Sequence, residues 1–176
     1  KADNDGVTAL IAASRMGHTA IVEALLKAGA HVDKANIDGV TALMMASVKG
    51  HAAIVEVLIQ AGADVDKAAN DGATALMLSS QKGQAAIVEV LLQAGADVDK
   101  VANNGATALI IASQKGHSAV VEVLLQAGAD VNNVANNGFT ALIIASQEGH
   151  DAIAEALLLA GADVNKVAHN GATALM

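Results

Sequence analysis

Residues 70–98 read Asn70-Asp71-Gly72-Ala73-Thr74-Ala75-Leu76-Met77-Leu78-Ser79-Ser80-Gln81-Lys82-Gly83-Gln84-Ala85-Ala86-Ile87-Val88-Glu89-Val90-Leu91-Leu92-Gln93-Ala94-Gly95-Ala96-Asp97-Val98. The opening Asn-Asp-Gly is a turn tripeptide that tolerates positive φ and tips a hairpin. Thr74 stands where its hydroxyl can cap a helix over Ala75 to Gln81, and Gly83 stops that helix. A second helix is predicted from about Ala85 to Ala94. Its Ile87, Val88, Leu91 and Leu92 make one apolar stripe, and Gly95 ends it. The stretch encodes turn, short helix, tight reversal, longer helix and return loop.

The same unit recurs along the chain. Gly6, Gly39, Gly72, Gly105, Gly138 and Gly171 are each 33 residues apart, as are Thr8, Thr41, Thr74, Thr107, Thr140 and Thr173. Such self-similarity is the signature of a repeat architecture. Residues 68–100 and 101–133 differ at only 10 of 33 positions, so the units arose by recent duplication or by design. The predicted units are 1–33, 34–66, 67–99, 100–132 and 133–165, with a partial sixth over 166–176, together one domain. Helices of two or three turns are not stable alone in water. Each carries apolar residues on more than one side, so burial needs a unit above and another below. The expected fold is an all-α solenoid held by nearest-neighbour interfaces, with hairpin-like loops and a period of 33.

Composition fits that picture. Apolar residues make up 53% of the chain, yet Phe139 is its single aromatic residue. A core of Ala, Leu, Ile and Val without rings needs small, regular gaps, which a uniform helical stack supplies. The most apolar stretches, 106–113 and 139–146, are interrupted far short of the roughly 20 residues a membrane span requires. Without Cys, disulfide frameworks, thiolate zinc sites and Cys nucleophiles are excluded. The net charge of −8 argues against nucleic acid, whose phosphates need clustered cations. No secretion signal is recognisable, and a cytoplasmic setting is expected. The chain begins at Lys1 and has no polar capping unit at either end, so it reads as a fragment of a longer array, which leaves room for targeting segments outside it.

The residues Gly72-x-Thr74-Ala75-Leu76, Gly83, Ile87-Val88-x-x-Leu91-Leu92-x-x-Gly95-Ala96-Asp97-Val98 resemble the ankyrin repeat, and the match recurs throughout. The departures are systematic. The family usually has Pro after the Thr, where this chain has Ala9, Ala42, Ala75, Ala108 and Ala141. It usually has His two residues later, where this chain has Ile11, Met44, Met77, Ile110 and Ile143, so apolar packing should replace the polar network which that His helps make. The resemblance implies L-shaped repeats whose hairpin tips project sideways, whose first helices line a concave face and whose second helices form the convex back. It also implies binding through the concave face. That face would include tips such as Asn4-Asp5, Ile37-Asp38, Asn70-Asp71, Asn103-Asn104 and Asn136-Asn137, the residue after each Gly, and the first-helix ends, among them Gln81-Lys82 and Gln114-Lys115. Binding energy concentrates in large anchors. The candidates are Arg15, Met16, Ile37, Lys49, Lys82, Lys115, Phe139 and Glu148, with packing against a neighbouring tip an equal alternative for Phe139. Leu124-Leu125-x-x-Gly128-Ala129-Asp130-Val131-Asn132, and its copy ending in Asn165, look like the motif that asparaginyl hydroxylases modify.

No constellation supports catalysis or a cofactor. His18, His51, His117 and His150 recur at repeat spacing, with Gln84 in the same place. Helices stacked about 8–10 Å apart cannot bring them to one metal, whose nitrogen ligands lie about 2.0–2.1 Å away. A hydrogen-bonding role at the start of the second helix is expected instead. Ser14, Ser47, Ser80, Ser113 and Ser146 lack triad partners and read as small packing residues. The ladder Glu23, Glu56, Glu89, Glu122 and Glu155 reads as a solvated convex face. The expected function is therefore a non-enzymatic scaffold for a protein partner, with no metal or cofactor, no nucleic acid and no membrane insertion. A structural spacer, a module that assembles end to end through uncapped termini, or an engineered consensus-like scaffold without a natural partner, are the alternatives.

Overall fold

Five threonines start five helices. In the computed structural model, which describes residues 5–174, the hydroxyls of Thr8, Thr41, Thr74, Thr107 and Thr140 accept from the backbone N–H three residues on, at 3.2–3.4 Å. These caps open α1 (Ala9–Met16), α3 (Ala42–Lys49), α5 (Ala75–Gln81), α7 (Ala108–Lys115) and α9 (Ala141–Glu148). After each comes a left-handed Gly and then a nine-residue helix: α2 (Thr19–Lys27), α4 (Ala52–Gln60), α6 (Ala85–Gln93), α8 (Ser118–Gln126) and α10 (Asp151–Leu159). The second helix of the unit quoted above stops one residue before the predicted end, because Ala94 is already the C-cap and its N–H bonds back to Val90 and Leu92. Ten helices and no strand occur among the described residues. Asn4 of the first predicted tip, and the final residues of the sixth unit, lie outside them.

The helices form two parallel stacks. First helices pack on first helices, second on second, and the two of a unit pack on each other. The first-helix stack is the tighter, and its sequence shows why. Ala42 and Ala46, Ala75 and Ser79, Ala108 and Ala112, and Ala141 and Ala145 sit four residues apart, all buried, and small side chains let backbones approach. The second helices meet instead through bulkier Ile54, Val55 and Leu58 and their equivalents Ile87, Val88, Leu91 and Val120, Val121, Leu124, also buried. The residues that replace the family's His, Ile11, Met44, Met77, Ile110 and Ile143, are all buried, as expected of apolar packing.

The loops add a second ladder. Each tip of the second to sixth units closes as a hairpin, for example Ala69 N–H to Ala73 O at 2.9 Å and Gly72 N–H to Ala69 O at 2.9 Å. Successive tips join through the backbone, with Asn70, Asn103 and Asn136 N–H donating to Asp38, Asp71 and Asn104 O, each at 2.9 Å. On the return loops, Asp33, Asp66 and Asp99 accept the N–H of Asp64, Asp97 and Asp130 at 3.0–3.1 Å, and Asn132 accepts that of Asp163 at 2.8 Å. The carboxylates of that edge are thus inter-unit hydrogen-bond acceptors, and Asn132 continues their role.

Candidate functional site

Two adjacent residues at the tips of the third to fifth units divide two tasks. The first, Asn70, Asn103 or Asn136, points its Nδ2 at the preceding tip and donates to Ile37, Asn70 or Asn103 O at 2.8–3.0 Å. The second, Asp71, Asn104 or Asn137, folds its Oδ1 back to accept the N–H two residues on, at 3.0–3.2 Å. That local turn fixes the second residue while its remaining side-chain atom stays on the rim. In the second unit Ile37 occupies the clamp position and is 63% exposed, so only its backbone N–H reaches back, to Asp5 O at 3.1 Å.

Between these tips and the first helices of the third to fifth units runs a groove of about 500 Å³. Its floor is aliphatic: Leu78, Ile111 and Ile144, half-buried and spaced by one period, with Met77 and Ile110 beneath. One wall carries Asn104 and Asn137, the other Gln81 and Gln114. Asp71 is its only charged lining residue. The lining therefore offers apolar contact flanked by amides, with one carboxylate, Asp71, at the third unit.

The residues expected to bind thus fall into two groups. Asp71, Asn104, Asn137, Gln81 and Gln114 come together around the groove. Arg15, Met16, Lys49, Lys82, Lys115 and Glu148 stand exposed at the first-helix ends, outside its lining, as does Ile37 on its tip. Phe139 is half-buried and packs with Ile143, Ala168 and Ala172. Leu78, Ile111 and Ile144 were missed because the first helix is apolar on every side, so periodicity cannot separate a floor facing outward from a core facing inward.

Three overlapping matches to the sequence model for ankyrin repeats (3 copies) cover residues 1–69, 31–102 and 76–168. The chain belongs to the ankyrin-repeat family. No curated protein matches it significantly. Ankyrin repeats are generally protein–protein interaction modules, and typically non-enzymatic scaffolds.

Within this ankyrin array the hydrogen bonds expected of the histidines at the start of their own second helices are not made there. None caps the second helix it precedes. His51 and His117 instead reach the preceding repeat, placing Nε2 3.3 Å from Arg15 O and 3.1 Å from Gln81 O. The reason is that a C-terminal turn leaves carbonyls unpaired, and the Gly there has no side chain to block the approach. A Cβ on Gly17 or Gly83 would lie 2.8 Å from the ring of His51 or His117. Gln84 covers Gly50 in the same way. Ser14, Ser47, Ser80 and Ser113 are fully buried between the helices, while Glu56, Glu89, Glu122 and Glu155 stand exposed on the second helices. No helix among the described residues is long and apolar enough to cross a membrane.

Proposed function

We propose that this ankyrin array is a scaffold that binds a protein partner through its concave face and hairpin tips. The observation that carries this reading is the groove over repeats three to five, where Leu78, Ile111 and Ile144 present an aliphatic floor between amide walls. An aliphatic strip with polar edges is what the buried centre and rim of a protein interface require. The mechanism is rigid presentation. Caps, tip clamps and return-loop acceptors order the surface beforehand, so little conformational entropy is lost on docking. Exposed Arg15, Met16, Ile37, Lys49, Lys82, Lys115 and Glu148 extend the contact beyond the groove, and Phe139 supports its far end.

Affinity capture with the intact array and with an Ile111→Gln, Ile144→Gln double variant tests it. A partner retained by the first and lost from the second is expected; partners recovered equally by both contradict the concave-face reading. A second reading, end-to-end self-association, draws on an apolar cleft of about 350 Å³ lined by Leu10, Leu25 and Ala30 and on the exposed Leu158 and Leu159. It predicts a mass in light scattering that rises with concentration.

A further inference from the structure

We infer that the occupant of the groove is a polyproline-II segment of a partner protein, with an aliphatic residue or proline at every third position and Arg or Lys at the end over Asp71. This inference rests on the concave-face reading and names its partner class.

The first argument is periodicity. Leu78, Ile111 and Ile144 are equivalent positions of successive repeats, and helices stacked side by side lie about 8–10 Å apart. A polyproline-II helix has three residues per turn and rises about 3.1 Å per residue, so one face repeats about every 9.3 Å. Side chains at i, i+3 and i+6 then meet three floor residues in turn. A β-strand fails this match because residues three apart point to opposite faces.

The second argument is hydrogen bonding. Polyproline II makes no internal hydrogen bonds, so its carbonyls need donors. The walls supply them: Asn104 and Asn137 commit Oδ1 to the Ala106 and Phe139 N–H groups, leaving Nδ2 to donate, and Gln81 and Gln114 stand opposite. An α-helix could also match the spacing, at about seven residues per repeat, but its main chain is already satisfied and would leave these amides idle.

Charge sets the direction. The lining is neutral over the fourth and fifth repeats, where the tips read Asn104 and Asn137, and anionic at the third, where the equivalent residue is Asp71. Asp38, exposed on the preceding tip, continues the negative edge. A cation at that end of the segment is complemented by these carboxylates, and the groove lining over the fourth and fifth repeats supplies no further carboxylate.

The test is a display selection of random linear twelve-residue peptides on the intact chain, followed by titration of the synthesised winners. Winners should carry aliphatic residues or proline at i, i+3 and i+6 with a basic end. Ile111→Ala should weaken them roughly tenfold, as loss of a central interface contact does. Asp71→Asn keeps the turn acceptor that Asn104 and Asn137 already provide, so it leaves folding intact while weakening only the basic-ended peptides by a few-fold. Winners with helical spacing that still depend on Ile111 overturn the polyproline assignment and leave the concave-face reading standing. Winners indifferent to Ile111→Ala overturn both. If no peptide is enriched, the occupant is not a linear segment and the inference fails, while affinity capture with the double variant still decides the concave-face reading.

Discussion

Gly105→Ala and Gly95→Ala separate what a glycine does for its own turn from what it does for the next repeat. Both glycines are left-handed, at φ 77° and φ 91°. Alanine in that conformation costs roughly 1–2 kcal/mol at either site. Their surroundings differ. A Cβ at Gly95 meets nothing within 4 Å, whereas at Gly105 it would lie 2.5 Å from Asn136 Oδ1 and 2.8 Å from Asn136 N. That residue is the clamp of the following tip, with its N–H bonded to Asn104 O at 2.9 Å and its Nδ2 to Asn103 O at 3.0 Å. Relieving the contact displaces both bonds, each worth about 1 kcal/mol. Gly95→Ala should therefore cost about 1–2 kcal/mol and Gly105→Ala about 3–4 kcal/mol. Urea unfolding followed by circular dichroism gives the comparison. Equal losses for the two variants would refute the idea that tips are held by their neighbours.

Other substitutions probe separate contacts. The hydroxyls of Ser80 and Ser113 are buried without a partner, so Ser80→Ala and Ser113→Ala should each stabilise the fold by about 1 kcal/mol. Ser47→Ala, which loses a 2.8 Å bond to Leu43 O, should not stabilise; calorimetric midpoints read all three. His117→Gln should change stability by less than about 0.5 kcal/mol, since Gln84 fills the equivalent place, while His117→Ala should cost about 1 kcal/mol, measured by urea unfolding. Phe139→Ala should speed amide hydrogen exchange around Ala168 and Ala172, its packing partners, whereas Arg15→Ala at an exposed site should leave exchange unchanged.

Much of this architecture was legible because local signals repeat. A Thr before an apolar run, a Gly nine residues later and an apolar stripe give the same helix five times, and the predicted Ala75–Gln81 helix matches the structure. Direction was harder to read. Spacing shows that one His or Gln recurs per repeat, but not that its ring turns back onto the preceding repeat's Gly. The pair Asn103-Asn104 looks uniform in sequence, yet Asn103 donates its side chain to the neighbouring tip while Asn104 folds its own back to accept the Ala106 N–H. The floor escaped notice for a related reason. Ile110 is buried and Ile111 only half so, although the two are adjacent, identical residues on one helix. Which of them faces outward is decided by where the neighbouring helices pack, which one helix's sequence does not state.

The most direct test removes one internal repeat. Deleting residues 68–100 joins Lys67 to Val101 in register and replaces two native junctions with one of the same kind. A nearest-neighbour stack predicts a folded, helical chain with lower thermal and urea midpoints and a smaller urea m-value. A deletion variant that fails to fold, or one whose midpoint is unchanged, would contradict it.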